Sequence, residues 1–351
     1  MKLEIREQAP KYIEILAPIV AVLFSFILGS ILILSIGENP IATYSKLLFG
    51  AFKSSYSVSE VVLKTTPLLL CGLAVMSALK VKFWNIGVEG QLCMGAWAAG
   101  GVALSLGHLP AVVLLPLLIF VGFVTGTLWG LIPTVLKVGL KVNEIITTLL
   151  MNYIAALWLN YHVYGSWKGR DGFPYTEVFS ASASLPNLLG QRAHIGIFFG
   201  IIIAITFQFL FEYTKFGYKI RITGENPKAA RYAGMNVGFI TIVVMSLSGG
   251  IAGLAGMVEV TGIHHRLHPN ILLGYGYTGI IIAWLSKNNP LAVILVSALF
   301  GILTVGGDII QIHQIPSAIV KILQGLIFFS VLASDTVMRY RVKRENCFSE
   351  G

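Results

Sequence analysis

Long apolar runs alternate with short polar stretches along the whole chain. The hydrocarbon core of a bilayer is about 30 Å thick, so a helix needs about twenty largely apolar residues to cross it. About ten segments approach that requirement: 17–36, 61–79, 86–106, 109–136, 145–165, 195–211, 237–257, 271–285, 291–306 and 319–334. Segments 86–106 and 271–285 are the least distinct, the first rich in glycine and the second short. Lys and Arg concentrate at the N-terminus and after every second segment, which by the positive-inside bias puts both termini in the cytoplasm. The pattern predicts an all-α fold, a polytopic transmembrane helical bundle of about ten spans. It divides into a cytoplasmic segment 1–16, a membrane domain 17–336 with a cytoplasmic loop at 213–236, and a basic cytoplasmic tail 337–351. Two external stretches are long. Residues 37–60 show no strong helix or strand pattern. Residues 166–193 carry Trp167, Gly169, Arg170, Asp171, Gly172, Phe173 and Pro174, then a Ser/Ala run. That chemistry suits either a docking surface for an external protein or a connection between distant spans.

Composition sharpens this picture. Of 351 residues, 56% are hydrophobic and only 12% charged, and the mean hydropathy is +0.79. A soluble domain carries about twice that charged fraction, so the chain is an integral membrane protein. A net charge of +9 would suit nucleic acid if it formed one patch. The basic residues instead lie in short loops beside apolar spans, which points to the lipid bilayer and not to nucleic acid. Cys71, Cys93 and Cys347 have no metal-ligand spacing and suggest no disulfide framework. Segment 17–36 lacks a small-residue cleavage site after it and reads as a retained span, not a signal peptide. No GxxxxGK[ST], HExxH or GxSxG motif occurs, and no Cys/His cluster has zinc spacing. The chain reads as non-catalytic, with no metal site and no cofactor of its own.

The longest polar run near the middle, 212–237, lies between two spans and carries Lys215, Lys219, Arg221, Lys228 and Arg231 against Glu212 and Glu225. Gly224 permits a tight turn, Glu225 and Asn226 supply capping groups, and Pro227 sets φ for a helix start. Residues 228–233 then form a short helix closed by Gly234. Such a helix docks into a cytosolic partner's groove, or the run is a solvated loop that only sets topology.

The run Thr223-Gly224-Glu225-Asn226-Pro227-Lys228-Ala229-Ala230-Arg231-Tyr232-Ala233-Gly234 resembles the coupling-helix loop of bacterial ABC importer permeases. The resemblance is to the branch that carries simple sugars, nucleosides and branched-chain amino acids. A second match, Asn85-Ile86-Gly87-Val88-Glu89-Gly90-Gln91, lies upstream in the order that family has, and the similarity covers roughly residues 67–333. It implies that Gly224, Glu225, Asn226, Pro227, Ala229, Ala230, Arg231 and Gly234 couple the chain to an ATP-hydrolysing subunit, which holds the ATP and Mg. It also implies a second permease, homologous and non-identical, an external solute-binding protein, and a place in the bacterial plasma (inner) membrane. The length, the N-terminal segment and the 166–193 loop look most similar to nucleoside and simple-sugar members.

Several polar residues are candidates for the translocation pathway. Asn85, Glu89 and Gln91 lie near a membrane boundary among glycines. A carboxylate there is either paired, with Lys80 or Lys82, or open to a polar passage. Asn143, Glu144, Thr148 and Asn152 open the fifth span. Glu144, Thr148 and Asn152 share one helical stripe, which makes interhelical hydrogen bonds or faces the pathway. In Gly274-Tyr275-Gly276-Tyr277-Thr278-Gly279-Ile280, which resembles the glycine-rich start of a core helix in the same family, Tyr275 and Tyr277 either stack on a solute or pack in the core. His264, His265, Arg266 and His268 suggest a metal, but only Glu259 stands near as an acidic ligand. Lys64 and Lys321 snorkel or pair with an acid, and Asp308 reads as a helix-end cap. An ion-coupled secondary transporter would need a buried titratable site, for which Glu89 and Glu144 are the candidates. A membrane-embedded enzyme would need convergent catalytic groups, and none is evident.

Overall fold

The computed structural model describes residues 2–5, 11–188, 191–269, 271, 274–316 and 318–343. The basic tail beyond residue 343 and parts of the N-terminal segment lie outside it. Helices follow in the order α1 (Lys11–Ser35), α2 (Pro40–Phe49), α3 (Ser55–Lys80), α4 (Val88–Leu106), α5 (Ala111–Leu140), α6 (Glu144–Tyr164) and α7 (Gly196–Tyr213). Then come α8 (Lys215–Glu225), α9 (Pro227–Tyr232), α10 (Val237–Glu259), α11 (Tyr275–Leu285), α12 (Pro290–Ile312) and α13 (Ala318–Arg339). A π-helical turn, Val260–His264, extends α10. The one sheet among the described residues is a ribbon in which β1 (Lys2–Ile5) runs antiparallel to β2 (Tyr340–Lys343), Lys2 opposite Lys343.

The architecture is helical, and each of the ten apolar segments falls on a helix of its own. Among the described residues five helices are long and apolar enough to cross a membrane, and six if the bent pair Ile19–Ser35 and Pro40–Phe52 counts as one span. The remaining segments form shorter or less apolar helices. Segment 271–285 shortens to α11, 11 residues long. Residues 37–60 are more ordered than their composition suggests. Asn39 accepts hydrogen bonds from the Ile41 and Ala42 amides at 2.9 and 3.3 Å, and Pro40 opens α2 behind it. Asp308 lies inside α12, near its C-terminal end.

The chain divides into two compact units, Met1–Lys53 with Leu303–Gly351, and Ser54–Ile302. In the first, α1 packs along α13. Ser25 Oγ donates to the Leu326 carbonyl at 3.0 Å, and Tyr44 Oη donates to the Phe26 carbonyl at 2.7 Å.

In the second unit α3, α4, α5 and α10 build the core. Helix α3 is 89% buried over its apolar window, whereas α5 is 22% buried. Helices α4, α5 and α10 approach backbone to backbone. A Cβ on Gly253 would meet the Gly122 carbonyl oxygen and come within 2.9 Å of Gly126 Cα. A Cβ on Gly126 would meet the Gly249 carbonyl and Gly253, and one on Gly256 the Leu92 carbonyl. The spacings Gly122/Gly126/Gly130 and Gly249/Gly253 put small residues on one face of each helix, where close approach supplies the packing that lipid cannot drive.

Candidate functional site

The turn between α3 and α4 holds a buried polar network. Asn85, Glu89 and Gln91 are each at most 2% exposed. Asn85 Nδ2 donates to Gln91 Oε1 and to Ser248 Oγ, both at 3.0 Å, and Gln91 Nε2 donates back to Asn85 Oδ1 at 3.1 Å. Asn85 Oδ1 also accepts from the Gly87 amide at 3.1 Å, and Ser248 Oγ donates to the Ala74 carbonyl at 2.7 Å. One amide side chain thereby ties α3, α4 and α10 together. Ser248 was not legible as a partner, because a serine in an apolar span has no local mark.

Glu89 reaches a different element. Its carboxylate accepts from the Gly274 amide at 2.8 Å and the Gly276 amide at 2.6 Å, at the N-terminus of α11. A helix start exposes unpaired N–H groups and the positive end of its dipole, so the buried carboxyl oxygens are satisfied by backbone. The pairing with Lys80 or Lys82 does not form. Lys80 Nζ lies over the Phe211 ring at 5.3 Å, and Lys82 Nζ donates to the Glu225 carbonyl at 3.4 Å.

The stripe on α6 faces the same turn. Asn152 Oδ1 accepts from the Gly90 amide at 2.8 Å, and its Nδ2 donates to the Ile86 carbonyl at 2.9 Å and to Tyr277 Oη at 3.2 Å. Thr148 donates to the Glu144 carbonyl at 2.6 Å. Asn143 caps α6 by accepting from the Ile145 amide at 2.9 Å, and Glu144 pairs with Lys137, whose ammonium also covers the Phe83 ring. Tyr275 is buried, while Tyr277 is 41% exposed and Tyr153 beside it 61%. Of the pathway candidates, Tyr277 is the one that joins the network while keeping an open face.

The 212–237 run is two helices. Thr214 caps α8 by accepting from the Gly217 amide at 3.0 Å. Gly224 sits inside α8 and is not a turn. A Cβ there would meet the Lys80 carbonyl, so the glycine serves close contact with the end of α3. Asn226 then caps α9, accepting from the Lys228 and Ala229 amides at 3.1 Å each, with Pro227 in the first turn. Gly234 at φ +74° ends α9, and the Met235 amide donates back to the Ala230 carbonyl at 3.0 Å. Ala230 is buried, whereas Glu225, Asn226, Pro227, Lys228, Ala229 and Arg231 are exposed and Tyr232 is 94% exposed.

At the other end of α10, residues of the 166–193 stretch run along the π turn. The Thr176, Phe179 and Leu185 amides donate to the Leu267, His265 and Thr261 carbonyls at 3.0, 2.7 and 3.1 Å. These bonds hold the stretch against the end of α10. Glu259 Oε1, His264 and His268 form a hydrogen-bonded row, at 3.2 and 3.3 Å, and no group of three metal-ligating side chains converges among the described residues. Burial pushes His194 and His268 down to about 4, and burial beside His264 holds His265 low as well.

A helical chain with long apolar helices, a polar network buried where they meet and an exposed capped helix between two of them is a multi-pass membrane protein. Residues 57–332 match the family described as the permease component of the branched-chain amino acid transport system. The chain belongs to that family, and it is an ABC-transporter permease subunit. It is 33% identical to a glucose ABC transporter permease of Haloferax volcanii over 97% of this chain and 93% of that one. A nucleoside ABC transporter permease of Lactococcus lactis is 31% identical over 91% and 90%, and a guanosine ABC transporter permease of Bacillus subtilis 33% over 92% and 94%.

Proposed function

We propose that this chain forms the translocation pathway of an ABC importer for a nucleoside or simple sugar. The observation that carries the reading is its similarity, over nine-tenths or more of its length, to permeases named for guanosine, nucleosides and glucose. Ten spans with both termini cytoplasmic put α8 and α9 in the cytoplasm of a bacterial cell, at the plasma membrane. There, α9 engages a partner ATPase that carries the ATP and Mg, and a homologous, non-identical permease completes the pathway. A solute-binding protein delivers solute at the outer face. The pathway candidates Tyr277 and Asn152 present a ring and an amide, groups suited to a hydroxyl-rich, uncharged solute.

An ion-coupled carrier is the weaker reading. The two carboxylates it would need are taken, Glu89 by the amides of α11 and Glu144 by Lys137. The family description favours branched-chain amino acids as the other solute class. Uptake of labelled guanosine, glucose and leucine by cells expressing the transporter separates them. Competition by nucleosides or sugars is expected, and uptake of leucine alone overturns the assignment.

A further inference from the structure

In the Ser54–Ile302 unit, the ends of α3, α7 and α11 and the last turns of α8 surround an open cavity of about 410 Å3. Its charged lining is Lys80, Lys82, Arg221 and Lys287 against Glu212 and Glu225, an excess of cations in a confined volume. Leu79, Phe211 and Ile220 add an apolar wall. Helices α3 and α7 are both apolar enough to cross a membrane, so a cavity at their ends lies where hydrocarbon gives way to headgroups.

The backbone at this cavity is unusual for its residues. A left-handed position after a helix is the place for glycine, which has no Cβ to crowd. Here those positions hold Lys82 at φ 52°, Lys287 at φ 48° and Asn288 at φ 57°. Backbone geometry favours glycine over lysine at two of these positions, whereas asparagine accepts the left-handed region readily, so the two lysines are the unusual choice. Lys141 is left-handed at the end of α5 without lining the cavity, so one helix-end lysine is no signal. Convergence of two such lysines on one space is.

Asn288 adds an independent observation, because its side-chain oxygen is buried and has no hydrogen-bond partner. A buried acceptor left unpaired costs stability that a donor from a ligand would restore. The ligand that fits therefore joins three features: a phosphate for the cations, a hydroxyl or ammonium donor for Asn288 and the carboxylates, and an apolar stem along Phe211. We propose that this cavity binds a phosphate group, presented by a phospholipid headgroup that carries a hydrogen-bond donor, as in phosphatidylglycerol or phosphatidylethanolamine. Inorganic phosphate shares the anionic part of that chemistry but not the donor or the stem. The bound headgroup bridges Arg221 on α8 to the ends of α3 and α11.

The test uses the full-length protein in phosphatidylcholine nanodiscs, with phosphatidylglycerol or phosphatidylethanolamine added in steps and bound lipid counted by native mass spectrometry. Lys82→Gln with Lys287→Gln is expected to weaken retention of the added lipid by about tenfold, because each lysine near a headgroup contributes to its attraction. Lys141→Gln should leave retention unchanged, and Lys82→Arg should restore most of it. Inorganic phosphate titrated into pure phosphatidylcholine discs, read by thermal shift, distinguishes the sources. A Lys82-dependent shift with phosphate alone assigns the site to free phosphate, and retention of lipid without such a shift assigns it to the headgroup. Equal retention by wild type and K82Q/K287Q, with no phosphate shift, overturns the site. If that double variant fails to fold, Lys82→Gln and Lys287→Gln are made singly, each expected to weaken retention several-fold, and retention equal to wild type in both overturns the site. Wild-type protein that keeps neither lipid over phosphatidylcholine and shows no phosphate shift also overturns it.

Discussion

Glu89 and Gly274 are 185 residues apart in sequence, yet a carboxylate and an amide bring them to 2.8 Å. The chain marks Glu89 as exceptional, since an acid among Gly87, Gly90 and apolar neighbours must be satisfied somehow. It does not mark the partner, because backbone amides carry no side-chain signature. Glu89→Ala removes the acceptor of one buried and one half-buried N–H group and should lower stability by about 3 kcal/mol, while Glu89→Gln keeps one oxygen in place and should cost about 1 kcal/mol. Thermal unfolding in detergent measures both, and equal melting of Ala, Gln and wild type would refute the anchoring role. His194 supports a second prediction. Its Nδ1 accepts from the Gly196 amide at 3.1 Å, and its Nε2 is buried without a partner. The folded state therefore holds it neutral, with its pKa down at about 4 against 6.5 in the unfolded chain. The unfolded chain binds the extra proton between those values, so this contribution is complete above pH 6.5 and is lost as pH falls towards 4. The melting temperature should drop between pH 7 and pH 5, and His194→Phe should flatten that slope.

At the scale of elements, the capped helix α9 was the most legible part of the chain. Asn226, Pro227 and Gly234 are strong punctuation, and each occupies the position its chemistry favours. Gly224 misled, because a glycine that permits a turn and a glycine that permits close contact look alike until a neighbour is known. Helix α2 was missed for a related reason: its start depends on one cap, Asn39, in a stretch with no apolar period. Glu225→Lys with Arg231→Glu reverses two exposed charges, one just before α9 and one in its last turn. The variant should insert normally and lose ATP-driven uptake, and normal uptake would remove α9 from the coupling role. The α4–α5–α10 contact gives a sharper test of packing. Gly253→Ala places a methyl against backbone atoms of α5 that have no room to move, which should cost about 1–3 kcal/mol. Gly139→Ala, near the end of α5 with nothing within 4 Å of the new methyl, should be neutral or slightly stabilising by the same melting assay.

For the molecule as a whole, apolar periodicity located the helices well and their depth in the bundle poorly. Helix α3 has mean hydropathy 1.8 and is 89% buried, whereas α5 at 2.4 is only 22% buried, so the oilier helix is the more peripheral one. Hydropathy measures fitness for lipid. Glycines and small polar residues, which lower it, are what let helices meet. The same logic explains why the buried network was read as a set of separate motifs: its members lie on α3, α4, α6, α10 and α11, and only the fold assembles them. In the proposed function the chain is a passive pathway driven by another subunit. The most direct measurement is accumulation of labelled nucleoside or glucose in proteoliposomes holding the chain with its co-purified subunits and binding protein, without ion gradients. Accumulation should require ATP on the side of α9 and vanish when the chain is reconstituted alone. Accumulation by the chain alone, driven by a sodium or proton gradient and indifferent to ATP, would contradict it.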